Sequence, residues 1–521
     1  VTEVALAAPH RLAVAAGEQA VRAGGNALDA ALAAAMVLTV VYPHQCSLGG
    51  DLSALVRSPD GEVTAVLSLG ASAAAIDVAM IRSRGRMPRQ GPLTVTVPGA
   101  VAGWIELSRL GARFPLARPL RAAAALADAG CQVSAGLARA IGDRIAAVRA
   151  DPGLSALLLD AAGNPRTGRL LQPQLARTLD QLAEDPDGFY RGAVAERLAA
   201  GLARLGSPLT REDLAAHRAE RAEPLTLATT DAHWWAAPPP AQGATVLALL
   251  AEPAGASLLN RARAAHRARA TLLGDPAGGE IDIAGLRAPG RDDGDDVRAA
   301  IAGERVGGDT VAVTAVDADG TCVSLIQSVF QSFGAGLLEP DTGIVLHNRG
   351  SAFVVLDDPD AHARHPAALA PRRRPPHTLC PLIGEGAGGA VRVALGCQGG
   401  RAQPLILAQV AADTADPASR LSAVLSRPRW VVGDRDLGFD TETVLAEPGA
   451  QPYPSVAPPA GAGASVAATL PVFAAPEGGD DRCGHVQVAR ITGSKLEAAA
   501  DPRADGSAVV TRADNPGGQA P

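Results

Sequence analysis

The stretch Gly308-Asp309-Thr310-Val311-Ala312-Val313-Thr314-Ala315-Val316, followed by Asp317-Ala318-Asp319-Gly320 and Thr321-Cys322-Val323-Ser324-Leu325, constrains the fold of this chain most. Side chains alternate from Thr310 to Val316. Asp319-Gly320 is a turn signal, and a second β-type run starts at Thr321, so the segment predicts a hairpin. Thr310 at the head of the first strand has two readings. β-Branched residues favour strands, which accounts for a threonine with no chemistry at all. Were the backbone cut between Asp309 and Thr310, however, Thr310 would gain a free α-amine beside its own hydroxyl, a nucleophile and base in one residue.

Around this hairpin the chain has 521 residues, enough for two to four average domains or one large layered unit. Its 47% hydrophobic and 19% charged residues suit a globular protein with a large core. The net charge of -7 gives no reason to expect nucleic acid or an anionic membrane as partner. Cys46, Cys131, Cys322, Cys380, Cys397 and Cys483 are scattered without a CxxC, which predicts buried free thiols, not a zinc site or a disulfide framework. No cofactor or metal is expected. The apolar run Ala30 to Val41 is too short to cross a bilayer, and no basic-then-apolar leader precedes Ala7-Ala8-Pro9-His10. The expectation is a cytoplasmic protein.

Apolar spacing predicts a helix from about Pro9 to Ala23, stopped at Gly24-Gly25, and a second from Asn26. Strands are expected near Ser53–Val56, Thr64–Leu69, Thr94–Val97 and Ala390–Leu395, with helices at Arg261–Leu273 and from Pro404 to about Thr414. Ala277 to Asp309 is rich in Gly, Asp and Arg and reads as a connector. Gly449 to Gly463 reads as an exposed Pro/Ala/Gly insertion, and the tail from Thr511 as disordered.

Several blocks then align with a known family. Thr310, Phe333-Gly334-Ala335-Gly336 and Thr342-Gly343-Ile344-Val345-Leu346-His347-Asn348 resemble, in order and spacing, the start of the small subunit of γ-glutamyltranspeptidases. Gly24-Gly25-Asn26-Ala27-Leu28-Asp29-Ala30-Ala31, Pro43-His44 and Gly49-Gly50 resemble the opening of the large subunit, and the likeness runs from about residue 5 to 510. The resemblance implies an α/β fold, the αββα sandwich of N-terminal nucleophile hydrolases. It implies one precursor cleaved into a large subunit, residues 1–309, and a small subunit, residues 310–521. The two subunits would be each other's partners; whether two such heterodimers pair is left open. Thr310 would be the nucleophile, Ser328 the hydroxyl that steadies it, and the N–H groups of Gly399 and Gly400 the oxyanion donors.

The substrate positions depart from the family. Gly70 stands where the family's carboxylate-gripping arginine belongs, Phe330 replaces an asparagine, and Arg349 and Ala352 replace the acidic or amide pair. His377-Thr378 replaces Ser-Ser. A free amino acid's carboxylate and ammonium need charged partners once desolvated, so the glutamyl clamp is expected to be lost. Phe330, Arg349, His377 and Thr378 become the candidate substrate-binding residues, with His347 a further pocket candidate and Arg349 either a grip for an acidic group or a surface ion pair. The expected function is a self-processing hydrolase with altered acyl specificity for a small acidic intermediate. The resemblance extends to the branch of the family in 4-alkylproline antibiotic biosynthesis, which implies C–C cleavage releasing an oxalyl group. The alternatives are a conventional glutathione hydrolase or transferase, and an uncut, catalytically dead scaffold.

Overall fold

The computed structural model describes residues 2–251, 257–288, 308–453, 470–476 and 480–514. Two sheets stack face to face, each backed by helices. The first has seven strands in the order Ser507–Arg512, Glu3–Ala8, Gly308–Asp317, Cys322–Gln331, Asp51–Arg57, Val63–Ser68 and Glu220–Ala222. The second has six, in the order Lys495–Ala500, Val486–Thr492, Val391–Cys397, Leu382–Gly386, Ala232–Ala236 and Leu225–Ala228. The expected hairpin lies at the centre of the first sheet, with Val316 opposite Cys322. Its turn closes through Gly320 N–H to Asp317 O at 3.0 Å, with Gly320 at φ +91, a conformation glycine adopts without strain.

Alternation along the strand Gly308–Asp317 sorts its side chains between two cores. Val311, Val313 and Ala315 join the helix-side core, while Ala312 and Val316 pack between the sheets. A strand covered on both faces is apolar on both, which is why Thr310 and Thr314 stand out. The helix Ala27–Val41 packs on this strand, and all of its side chains are buried. It starts with a reciprocal cap in which Asn26 Oδ1 accepts from Asp29 N–H and Asp29 Oδ2 accepts from Asn26 N–H at 2.9 Å. On the far side, Gly243–Leu250 and Gln403–Ala408 cover the second sheet. The layering is therefore helix, sheet, sheet, helix, as expected, and all six cysteines are buried free thiols.

Some local expectations are corrected. Thr94–Val97 is not a strand: a 3-10 turn spans Pro92–Thr94, and Val97 makes one backbone bond, to Ala71 O. The helix from Pro404 is two short ones, Gln403–Ala408 and Ala411–Ala415. At the start of the expected connector Asp275 caps a turn at Pro276–Gly278, and within it Asp282 caps a helix at Ile283–Arg287 whose Leu286 is buried. The remainder of that connector from 289 to 307 lies outside the described residues, as does 454–463 of the expected insertion. Thr511 belongs to an ordered strand paired with Glu3–Ala8, and only 515–521 of the tail lies outside the described residues. Among the described residues no helix is long and apolar enough to cross a membrane.

Candidate active site

Thr310 is buried in the first sheet, and its hydroxyl donates to Ser328 Oγ at 3.1 Å. Ser328 Oγ in turn donates to the carbonyl oxygen of Asp309 at 2.7 Å and accepts from Phe330 N–H at 2.8 Å. One oxygen thus touches both the candidate nucleophile and the peptide carbonyl just before it. A register shift makes this arrangement: Gln327 pairs with Val311, but Phe330 pairs with Asp309, leaving Ser328 and Val329 as a bulge opposite Thr310. Phe330 sits at φ +77, rare for a residue with a side chain. Asn348 fastens the bulge, receiving Gln331 N–H on its Oδ1 at 3.2 Å and sending its N–H to Val329 O at 3.3 Å.

Gly399 and Gly400 follow the strand Val391–Cys397 and turn it sharply, with φ of +143 and +53. A Cβ on Gly399 would meet Ile406 Cδ1 at 2.4 Å. Their carbonyls are occupied, by Ala402 N–H at 2.9 Å and by the Gln242 side chain at 3.0 Å. Among the described residues neither glycine N–H is spent on another group. The turn Gly400–Ala402 packs against the strand carrying Thr310.

The four candidate substrate-binding residues come together. The Arg349 guanidinium lies 3.9 Å from the Phe330 ring centroid, and Nη1 and Nη2 both reach Thr378 Oγ1 at 3.3 Å. Arg349 is only 1% exposed, and none of its contacts among the described residues is a carboxylate, so the surface ion-pair alternative falls. Burial pushes its guanidinium down to about 9. His377 is equally buried, and neither of its ring nitrogens has a hydrogen-bond partner. Burial first, and Arg349 second, hold it well below the usual histidine range. Phe330, His377 and Thr378 line a cavity of about 120 Å³. A second cavity, about 810 Å³, borders Asp309, Gln45, Gln331 and Gln398.

Gly70 is where the structure speaks most directly about the missing arginine. A Cβ there would lie 1.5 Å from Val97 O, and Gly70 N–H donates to Asp51 Oδ1 at 3.1 Å.

Asp51 was missed from the sequence, where it passes as the end of a Gly-Gly turn. It is fully buried, is the register partner of Ser328, and its Oδ2 lies 3.0 Å from His347 Nδ1 and 3.9 Å from His377 Nε2. Burial opposes its charge, but His347, His377 and Arg349 together hold the carboxyl down at about 2. His347 is braced from behind by Thr96, whose carbonyl lies 2.9 Å from Nε2. The available signal was an acid at the head of an otherwise apolar strand. Among the described residues no group of three or more His, Cys, Asp or Glu side chains could hold a metal ion.

Comparisons with known proteins identify the family of the chain. The family model described as Gamma-glutamyltranspeptidase matches residues 13–276 and 280–511. The chain is 38% identical over 466 residues to the oxamate amidohydrolase proenzyme of Klebsiella pneumoniae, covering 84% of this chain and 87% of that one. It is 32% identical over 469 residues to the glutathione hydrolase-like YwrD proenzyme of Bacillus subtilis, covering 86% and 88%. Among solved structures, the cephalosporin acylase from Bacillus halodurans superposes with a TM-score of 0.80 at 26% identity, covering 98% of this chain and 96% of that one. The helix–sheet–sheet–helix layering with a threonine at the head of its central strand is thus that of an N-terminal nucleophile hydrolase, and the chain belongs to the γ-glutamyltranspeptidase family as one of its hydrolases.

Proposed function

We propose that the chain cuts itself between Asp309 and Thr310 and then hydrolyses a small substrate whose acyl group carries its own carboxylate, of the oxalyl type. The cut begins with Thr310 Oγ1 attacking the Asp309 carbonyl carbon. Ser328 Oγ, 2.7 Å from that carbonyl oxygen, is placed to donate to the developing oxyanion. The peptide nitrogen leaves with a proton, and water hydrolyses the resulting ester. Asp309 then ends residues 1–309, and Thr310 begins residues 310–521 with a free amine. In the mature enzyme that amine takes the proton from Oγ1 as the oxygen attacks the substrate acyl carbon. The free N–H groups of Gly399 and Gly400 receive the tetrahedral oxygen. The leaving group departs protonated, and water releases the acid.

The observation that carries the acyl assignment is Arg349. A guanidinium has five N–H donors, and this one is buried with a single acceptor among the described residues, Thr378 Oγ1. A buried cation left short of acceptors is costly, and a substrate carboxylate meets that need with bidentate geometry. The relative named oxamate amidohydrolase supports an oxalyl amide as the first substrate to try. The cleavage of a C–C bond to an oxalyl group is the second, with Phe330 and His377 offering a flat wall to a ring. The γ-glutamyl reading has the name of the Bacillus subtilis relative in its favour and Gly70 against it, since no side chain fits at that position. Parallel assays of an oxalyl amide and a chromogenic γ-glutamyl anilide decide the matter. Turnover of the oxalyl compound and not the anilide is expected, and rapid turnover of the anilide alone would sink the acyl assignment.

A further inference from the structure

The small cavity beyond Phe330 and Thr378 is richer in positive charge than one carboxylate requires. Arg269 and Arg401 both line it, and neither has a carboxylate within 4 Å among the described residues. Arg269 spends one nitrogen on Gln242 Oε1, at 2.7 Å, and on Arg401 O, at 3.4 Å. Arg401 makes no side-chain hydrogen bond among the described residues, and it directly follows Gly399-Gly400. His266 and His377 line the same space, and His266 Nε2 has no hydrogen-bond partner. Of the three acids on the rim, Glu442 is held by Arg263 at 2.6 Å. Asp434 and Asp436 accept backbone N–H groups of their own loop, at 2.6 and 3.0 Å. Burial first, and the neighbouring Arg401 second, push Arg269 down to about 9, with Asp436 acting in the opposite direction.

We infer that Arg401 and Arg269, with the His377 imidazole, form a second carboxylate subsite, so that the substrate is a dicarboxylate with one acid in the acyl half and another in the leaving group. The inference rests on the proposed acyl grip at Arg349 and adds a requirement to it. A cavity of about 120 Å³ has room for a short acid arm. Buried polar atoms are nearly always paired, and beside the candidate oxyanion turn this space gathers an unpaired His266 Nε2 and the half-buried guanidinium of Arg401, which has no hydrogen-bond partner among the described residues. A leaving group no larger than ammonia would leave them all unused.

The test compares matched probes on the purified, processed enzyme. Succinate and butyrate, which have no bond to cut, are titrated by calorimetry, and N-oxalylglycine and N-oxalylethylamine are compared as substrates. Succinate is expected to bind at least about tenfold tighter than butyrate, a gain of the order of one charge-assisted pair. N-oxalylglycine should be favoured similarly in kcat/KM. In Arg401→Gln both ratios should fall to within about twofold of unity, and Arg401→Lys should recover part of them. Absence of a dicarboxylate preference in the wild type, or its survival in Arg401→Gln, overturns the second subsite. Failure of the acyl reading looks different. In that case Arg349→Met binds both probes as well as the wild type and neither oxalyl amide turns over, while the succinate preference and its dependence on Arg401 persist.

Discussion

The Ser328 hydroxyl oxygen serves three neighbours at once: the Thr310 hydroxyl, the Asp309 carbonyl and the Phe330 amide. Its part in processing should therefore be larger than that of a packing serine. Ser328→Ala is expected to slow self-cleavage by about 100-fold, the typical cost of one oxyanion donor, with Ser328→Thr restoring most of it on a denaturing gel. Thr310→Ala should stay uncut altogether. At the substrate end, Arg349→Met removes the buried grip. A charged hydrogen bond is worth about 1.5–3 kcal/mol, so kcat/KM for an oxalyl substrate should fall at least tenfold while thermal stability holds or rises. Asp309 gives a pH signature. Burial pushes its carboxyl up to about 7, above the ordinary unfolded value of about 3.9. A raised acid contributes its stability fully below about 3.9 and loses it as the pH climbs through 7. In the uncut Thr310→Ala chain, the added Asp309→Asn change should therefore raise the melting temperature more at pH 8 than at pH 5. An equal shift at both would contradict the raised carboxyl.

At the scale of elements, the site is made by two backbone irregularities: the bulge at Ser328 and Val329 and the turn at Gly399-Gly400. The hairpin itself was legible from alternation and the Asp-Gly turn, because both are local properties of the chain. The bulge was not, since a one-residue register shift depends on what Asn348, seventeen residues on from Gln331, does to the backbone. Thr310, Ser328 and the glycine pair stood out as candidates through their spacing in a recognised pattern. Asp51 escaped, and His347 was legible only as a pocket candidate, because their partnership joins an early strand to a late loop. The Thr94–Val97 misreading has a related cause: β-branched residues suit any extended segment, and this one docks beside Ala71 without entering a ladder. Gly70 shows the opposite case, where a single residue type reports a close approach of two segments. Gly70→Arg should fail to create a glutamyl clamp and should instead destabilise the protein by at least about 2 kcal/mol through overpacking against Val97. Chemical denaturation measures this, and a stable variant that gained γ-glutamyl turnover would contradict it.

At the scale of the whole molecule, the proposed cut does not divide the fold along any natural seam. In the seven-stranded sheet, Gly308–Asp317 lies between Glu3–Ala8 and Cys322–Gln331, and Ser507–Arg512 closes the edge against Glu3–Ala8. Strands from before and after Thr310 are interleaved within one hydrogen-bonded ladder, and the second sheet mixes Leu225–Ala228 and Ala232–Ala236 with strands from beyond residue 380. The C-terminal part is also fastened internally. Arg429 is buried and pairs with Asp501 at 2.6 Å while donating to the carbonyls of Cys483 and Gly484. Removing one side of such a pair leaves an uncompensated buried charge, costing about 3–5 kcal/mol. Breaking one peptide bond removes none of these contacts. The two products should therefore run as two bands on a denaturing gel yet elute together from a native sizing column, and neither should refold to a cooperative melt when expressed alone. Asp501→Ala sharpens the test, because the change weakens the C-terminal half without touching Thr310. Cleavage should proceed at the wild-type rate under conditions where the variant is folded, while the melting midpoint drops by several degrees. If the halves instead separated on dilution of the wild-type protein, the interleaved ladder would not be what holds the mature enzyme together.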